Sequence, residues 1–188
     1  MIARVAVAPA EEPITLTEAK LHLRVTGTAE DTLITSLIQA ARERCEDVTM
    51  RSLVTRTYDA YLDCWPECGS VMLPYPPAAS IVSVKYTDST GTQGTMDSLD
   101  YYLAVARGQL VLGYGKSWPT AVLQPKEAIV IRYTAGYGAA SAVPAWAKHA
   151  MKLLIGHWYM NREEVTTGTV GHQLPEAAAT ILRANRAF

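Results

Sequence analysis

Gly113-Tyr114-Gly115-Lys116-Ser117 is the stretch of this sequence whose residue types come nearest to chemistry. A Gly-Lys-Ser run can gather backbone donors and a lysine around phosphate groups. The spacing refuses that role: the motif needs a glycine five positions before Gly115, where Leu110 stands, and Trp118-Pro119 blocks the helix that should begin there. The stretch reads as a plain loop.

Cys64-Trp65-Pro66-Glu67-Cys68, with Cys45, is the next candidate, for zinc. A structural zinc site wants four ligands, usually with a second close pair, and His22, His149, His157 and His172 show no such pairing. A turn with two small buried thiols is the simpler reading, and no metal or other cofactor is expected. His149 and His157, eight apart, read as core or interface histidines. Acid/base or nucleophilic catalysis would need a carboxylate pair, a serine or cysteine elbow and a histidine partner; no such set stands out. Glu43/Asp47 and Glu163/Glu164 read as solvated parts of helices, and Gly136-Tyr137-Gly138 as a strand exit that needs positive φ.

The element that organises the chain is the run from Val143 to Arg162. Pro144 suits a helix start, and about 18 residues at ~1.5 Å rise give a rod of about 27 Å. Ala147, Ala150, Met151, Leu154, Ile155 and Trp158 form a stripe at 3/4 spacing, the side a helix turns to its own core. Trp146, Leu153, Tyr159 and Met160 lie off that stripe, so the helix is apolar on two sides and needs two neighbours.

Before it, residues 1–13 read as an extended arm. Thr15-Leu16-Thr17-Glu18 is a capping-box pattern opening a short helix closed by Gly27. Leu33, Ile34, Leu37, Ile38, Ala41, Cys45 and Val48 then repeat at helical spacing to about Met50, with Glu, Asp and Arg on the opposite side. After Arg51 the period changes to alternation, rich in β-branched and aromatic residues. Strands are expected at Leu53–Asp63, Val71–Leu73, Ile81–Thr87, Tyr101–Arg107, Gln109–Leu112 and Ala128–Thr134, separated by Pro- and Gly-rich turns. Beyond Arg162 the stretch Glu163–Gln173 has no period, and a last helix begins near Pro175, too short to be stable alone in water.

The fold class is therefore α+β: an N-terminal helical hairpin and C-terminal helices flanking an inserted, mainly antiparallel β-sheet. The expected division is 1–51, arm and helical hairpin; 52–138, β-rich insert; 139–163, long helix completing the helical core; and 164–188, flexible loop and docking tail. At 188 residues and formal charge −1, the chain suits one domain, or a small domain with an insert. An acidic excess in the first fifty residues and a basic one after Pro144 make no footprint for gripping DNA or a membrane. Three cysteines suit a reducing compartment, and neither a signal peptide nor a spanning segment is read. Four tryptophans and ten tyrosines are of the kind enriched at protein interfaces.

Several stretches together, in their order and spacing, resemble the phage head-tail connector (adaptor) proteins of the gp6-like and phiE125 gp8-like families. They are Ile14 to Val25 (ITLTEAKLHLRV), Leu73-Pro74-Tyr75-Pro76-Pro77 before Ile81 to Tyr86, Arg132 to Gly138 (RYTAGYG), Val143-Pro144-Ala145, and His157 to Glu163 (HWYMNRE). The likeness covers nearly the whole chain. It implies a non-enzymatic ring of about twelve subunits seated on the portal of a tailed phage, a prophage or a phage-derived gene-transfer particle. The ring would be assembled in the bacterial cytoplasm and placed in the neck of the virion, with a tail-side neck or stopper protein beyond it and DNA passing through the lumen without sequence-specific binding. The surfaces expected to meet neighbours or portal are Trp146, Leu153, Tyr159 and Arg162 on the long helix. On a tail mobile until it docks, Ile181, Leu182 and Phe188 are expected as anchors and Arg183 and Arg186 as orienting charges. A small ligand- or metal-binding module, or an enzyme with an unrecognised site, is the competing expectation.

Overall fold

The computed structural model describes residues 1–161 and 175–187, which form two compact units. The chain passes between them more than once: the first unit is Met1–Ala10 with Thr55–Tyr137, the second Glu11–Val54 with Gly138–Phe188.

The first unit is all β. Strands β1 (Ile2–Val7), β2 (Arg56–Leu62), β3 (Ser70–Met72), β4 (Ala78–Thr87), β5 (Gln93–Thr95), β6 (Tyr101–Ala104), β7 (Gln109–Leu112) and β8 (Ile129–Ala135) make two antiparallel sheets, ordered β1-β2-β8-β4-β5 and β3-β7-β6. Alternation decides which side is buried: Ile129, Ile131, Tyr133 and Ala135 of β8 point into the core, where Tyr58 and Ala60 of β2 join them. Tyr58 stacks on Tyr133 across the strand pair at 5.6 Å and on Tyr75 at 5.1 Å. The Tyr133 hydroxyl donates to the Pro74 carbonyl at 2.7 Å, and burial pushes its pKa well up. On the other side of the same pair, Arg132 donates twice to Asp59, both bonds 2.7 Å, across a directly opposed position.

Two strands escaped the sequence reading. The arm is β1, paired to β2 from Ile2↔Tyr61 to Val7↔Thr57. Gln93-Gly94-Thr95, which reads as part of a turn, is β5, and Gly94 sits directly opposite Tyr86, whose ring covers it.

The second unit is helical: α1 (Leu16–Leu23), α2 (Asp31–Thr49), α3 (Ala145–Met160) and α4 (Glu176–Ala184). The capping box forms as expected, with Glu18 N–H donating to Thr15 Oγ1 at 3.1 Å and Thr15 N–H to Glu18 Oε2 at 2.8 Å. The end of α1 differs from expectation: Arg24 itself takes the left-handed conformation, φ 57°, and its N–H closes the last turn, leaving Gly27 outside the cap. Ile34, Ile38, Ala41 and Cys45 of α2 meet Ala147, Ala150, Met151, Leu154 and Ile155 of α3 in the core. Trp158, expected to close that stripe, is only half-buried.

Gly94 supplies a test of the sheet. A Cβ there would lie 2.4 Å from Cζ of Tyr86, a ring that also makes an edge contact with Trp65 at 6.2 Å. Gly94→Ala should cost about 1–3 kcal/mol in urea unfolding, because the ring must leave its place. Gly27→Ala, with nothing within 4 Å of the added carbon, should be neutral or slightly stabilising.

Candidate functional site

Each chemically suggestive motif has a structural occupation. Lys116 is salt-bridged to Asp100 at 2.7 Å, and Gly113 N–H donates to the Asp100 carbonyl, so the Gly-Lys-Ser stretch is a turn pinned by its neighbour. Ser117 and Asp100 border an open cavity of about 310 Å³ beside Trp118. Cys64 and Cys68 are both exposed, which corrects the expectation of buried thiols. Trp65 takes the inward place in that turn and stacks on Trp118 at 4.7 Å, so the small residues are left outside. Cys45 is the buried one, and burial, helped by the Glu46 charge, pushes its thiol up to about 12. Among the described residues, no three His, Cys, Asp or Glu side chains gather as a metal site would need. His149 is exposed, and half-buried His157 pairs with Asn161 one turn on, so neither is a core histidine.

What the helical unit does gather is a buried ion network that the sequence reading placed on the solvated side of α2. Arg42 and Glu46 are each only 4% exposed. Arg42 donates from Nε to Glu12 Oε2 at 2.8 Å and from Nη1 to Glu46 Oε2 at 2.9 Å, while Glu46 Oε1 accepts Leu53 N–H at 2.8 Å. Burial alone would lower the Arg42 pKa, but the Glu12 hydrogen bond and the Glu46 charge outweigh it and hold it above the usual arginine value. The one sequence signal was the i,i+4 spacing of Arg42 and Glu46, which an exposed pair shares.

The residues expected at interfaces separate into distinct groups. Trp146 and Leu153 are half-buried and Met160 is 77% exposed; at seven-residue spacing they lie along one side of α3, away from its buried stripe. Tyr159 belongs at home: its hydroxyl donates to the carboxylate of Glu30, just before α2. Leu182 is fully buried, because α4 packs on α3 and α2 of its own unit; Ile181 is half-buried, and Arg183 and Arg186 are exposed. Arg51 Nε donates to the Asn185 carbonyl at 2.8 Å and Ala187 N–H to Thr49 at 2.9 Å, so the helix too short to stand alone finds its support within its own unit. That corrects the expectation of Leu182 as an outward anchor, since its side chain is buried within its own unit. Residues 162–174, Arg162 among them, and Phe188 lie outside the described residues.

An apolar strip of this kind, half-buried at Trp146 and Leu153 and exposed at Met160, is the sort of surface that protein contacts use. The chain belongs to the head completion protein family, whose model matches residues 12–188. No curated protein matches it. Among solved structures it is similar to a chain in the neck of an empty GTA particle computed with C6 symmetry, at TM-score 0.81 and 24% identity, covering 99% of this chain and 95% of that one. It is likewise similar to a chain in the virion of a native gene transfer agent particle, at 0.79 and 24%, and in the neck of the native particle computed with C12 symmetry, at 0.79 and 22%, each with the same coverage.

The network yields a stability prediction. Arg42→Met strands Glu46 in the core and should lose about 3–5 kcal/mol in chemical denaturation. Adding Glu46→Gln, which removes the stranded charge and keeps an oxygen for Leu53 N–H, should recover a large part of that loss; a double variant as unstable as the single one would refute this account.

Proposed function

We propose that this protein is a structural subunit of the head-tail neck of a phage-derived particle, assembling as a ring of about twelve copies on the portal. The observation that carries the reading is the family match over residues 12–188, joined to folds taken from particle necks that cover 99% of the chain. The reading has no catalytic step; the subunit's work is to bury surface against neighbours. A ligand- or metal-binding module, or an enzyme, draws no support from the family or from the matched folds.

In this reading the Trp146, Leu153 and Met160 side of α3 meets the next subunit, and Arg183 and Arg186 on the exposed side of α4 meet acidic groups of the portal. A tail-side protein closes the other end, and DNA crosses the lumen. A net charge of −1 suits that passage, since a strongly cationic lumen would hold the phosphates it must let slide.

Native mass spectrometry of the purified protein tests the ring directly: a closed oligomer should appear without added ligand. Met160→Glu should shift it toward monomer while its thermal melt stays within about 2 °C of wild type, as an exposed substitution should. Arg183→Glu with Arg186→Glu should instead leave the ring intact and weaken capture by portal about tenfold or more in a pull-down. Rings unaffected by Met160→Glu would remove α3 from the interface.

A further inference from the structure

The large sheet has two unequal borders. β5 ends it on one side with three residues, Gln93 and Thr95 exposed and polar, a short and harmless edge. β1 ends it on the other side with six residues, and apart from Arg4 its exposed side chains are apolar, among them Ile2 at 61%, Val5 at 50% and Val7 at 59% exposed. A charge on an edge strand normally guards it, but Arg4 leans back over its own sheet, 5.5 Å from the Tyr61 ring centre and 3.9 Å from Glu127. Beside the start of β1 opens a cavity of about 320 Å³ bordered by Ile2, Tyr61, Leu62 and Cys64, room for an incoming side chain.

A second unpaired border lies on the opposite side of the same sheet. β5 covers β4 only from Lys85 to Thr87, so along Ala79–Ser83 β4 has β8 on one side and, among the described residues, no strand on the other. Two bulges there take Ala79 and Val82 out of the β8 ladder, and Val82 is 54% exposed. Bulges curve a sheet edge and re-aim its side chains.

We propose that β1 of one copy adds to the Ala79–Ser83 border of β4 in the next copy. This rests on the ring reading, and the symmetry it implies argues for a second copy as the occupant. Rotation about a ring axis requires two different, complementary surfaces on each subunit, whereas β1 against β1 would be a two-fold contact that stops at a dimer. Among the described residues the sheet carries two such surfaces, on opposite sides, each a backbone edge with no strand beside it and an exposed valine on it.

The test uses the full chain with Val5→Glu and Val82→Glu, made separately. Both side chains are exposed, so each variant should melt within about 2 °C of wild type. Each alone should lose at least about tenfold in ring population by native mass spectrometry. Mixed together they should form one-to-one heterodimers, because β1 of the Val82→Glu copy still fits the intact β4 border of the Val5→Glu copy, and growth stops there. Rings that persist in either variant, or a mixture that stays monomeric, would overturn strand addition while leaving the neck reading standing. A wild-type protein that forms no ring at any concentration would overturn both.

Discussion

The constraint on which the helical unit depends is the need to keep Arg42 paired inside it. A guanidinium removed from water is tolerable only with acceptors in place, and here they come from two stretches, Glu12 just before α1 and Glu46, one turn after Arg42 on α2. Glu46 in turn takes the N–H of Leu53, at the point where the chain is about to leave for the sheet. One buried cation thus sets where the arm enters, how α2 is rotated and where it hands the chain on.

Much of this fold could be read from the sequence, for reasons tied to particular residues. The α2 and α3 stripes were legible because 3/4 spacing leaves few alternatives, and β2, β4 and β8 because β-branched and aromatic residues alternate in them. The strands that were missed are those whose partners lie elsewhere. β1 looks like an arm because pairing with β2 across fifty residues leaves no local trace. β5 looks like a turn because Gly94 carries no side chain, and its strand character is supplied by Tyr86 from across the ladder. Arg42 and Glu46 were misplaced because a charged pair at i,i+4 reads the same whether it faces solvent or core. The surfaces of α3 and α4 were half legible: periodicity identified a second apolar side, but it could not show that Tyr159 and Leu182 are taken up at home.

A common pattern runs through those outcomes. Residues whose role is set by neighbours in sequence, such as the Thr15–Glu18 cap, appear as expected. Residues set by a contact far along the chain are the ones displaced. Trp65 is an example: its burial against Trp118, more than fifty residues away, decides that Cys64 and Cys68 face water.

The interleaving of the two units has a consequence for how the chain is born. β1 is synthesised some fifty residues ahead of its partner β2, and α2 waits through the whole sheet for α3. At about 5–20 residues per second, the interval between the end of α2 and the start of α3 is roughly 5–20 seconds. For that time the Ile34, Ile38, Ala41 and Cys45 stripe lacks the α3 residues that it meets in the folded unit. Burial of that stripe therefore depends on the order of translation as much as on the final packing.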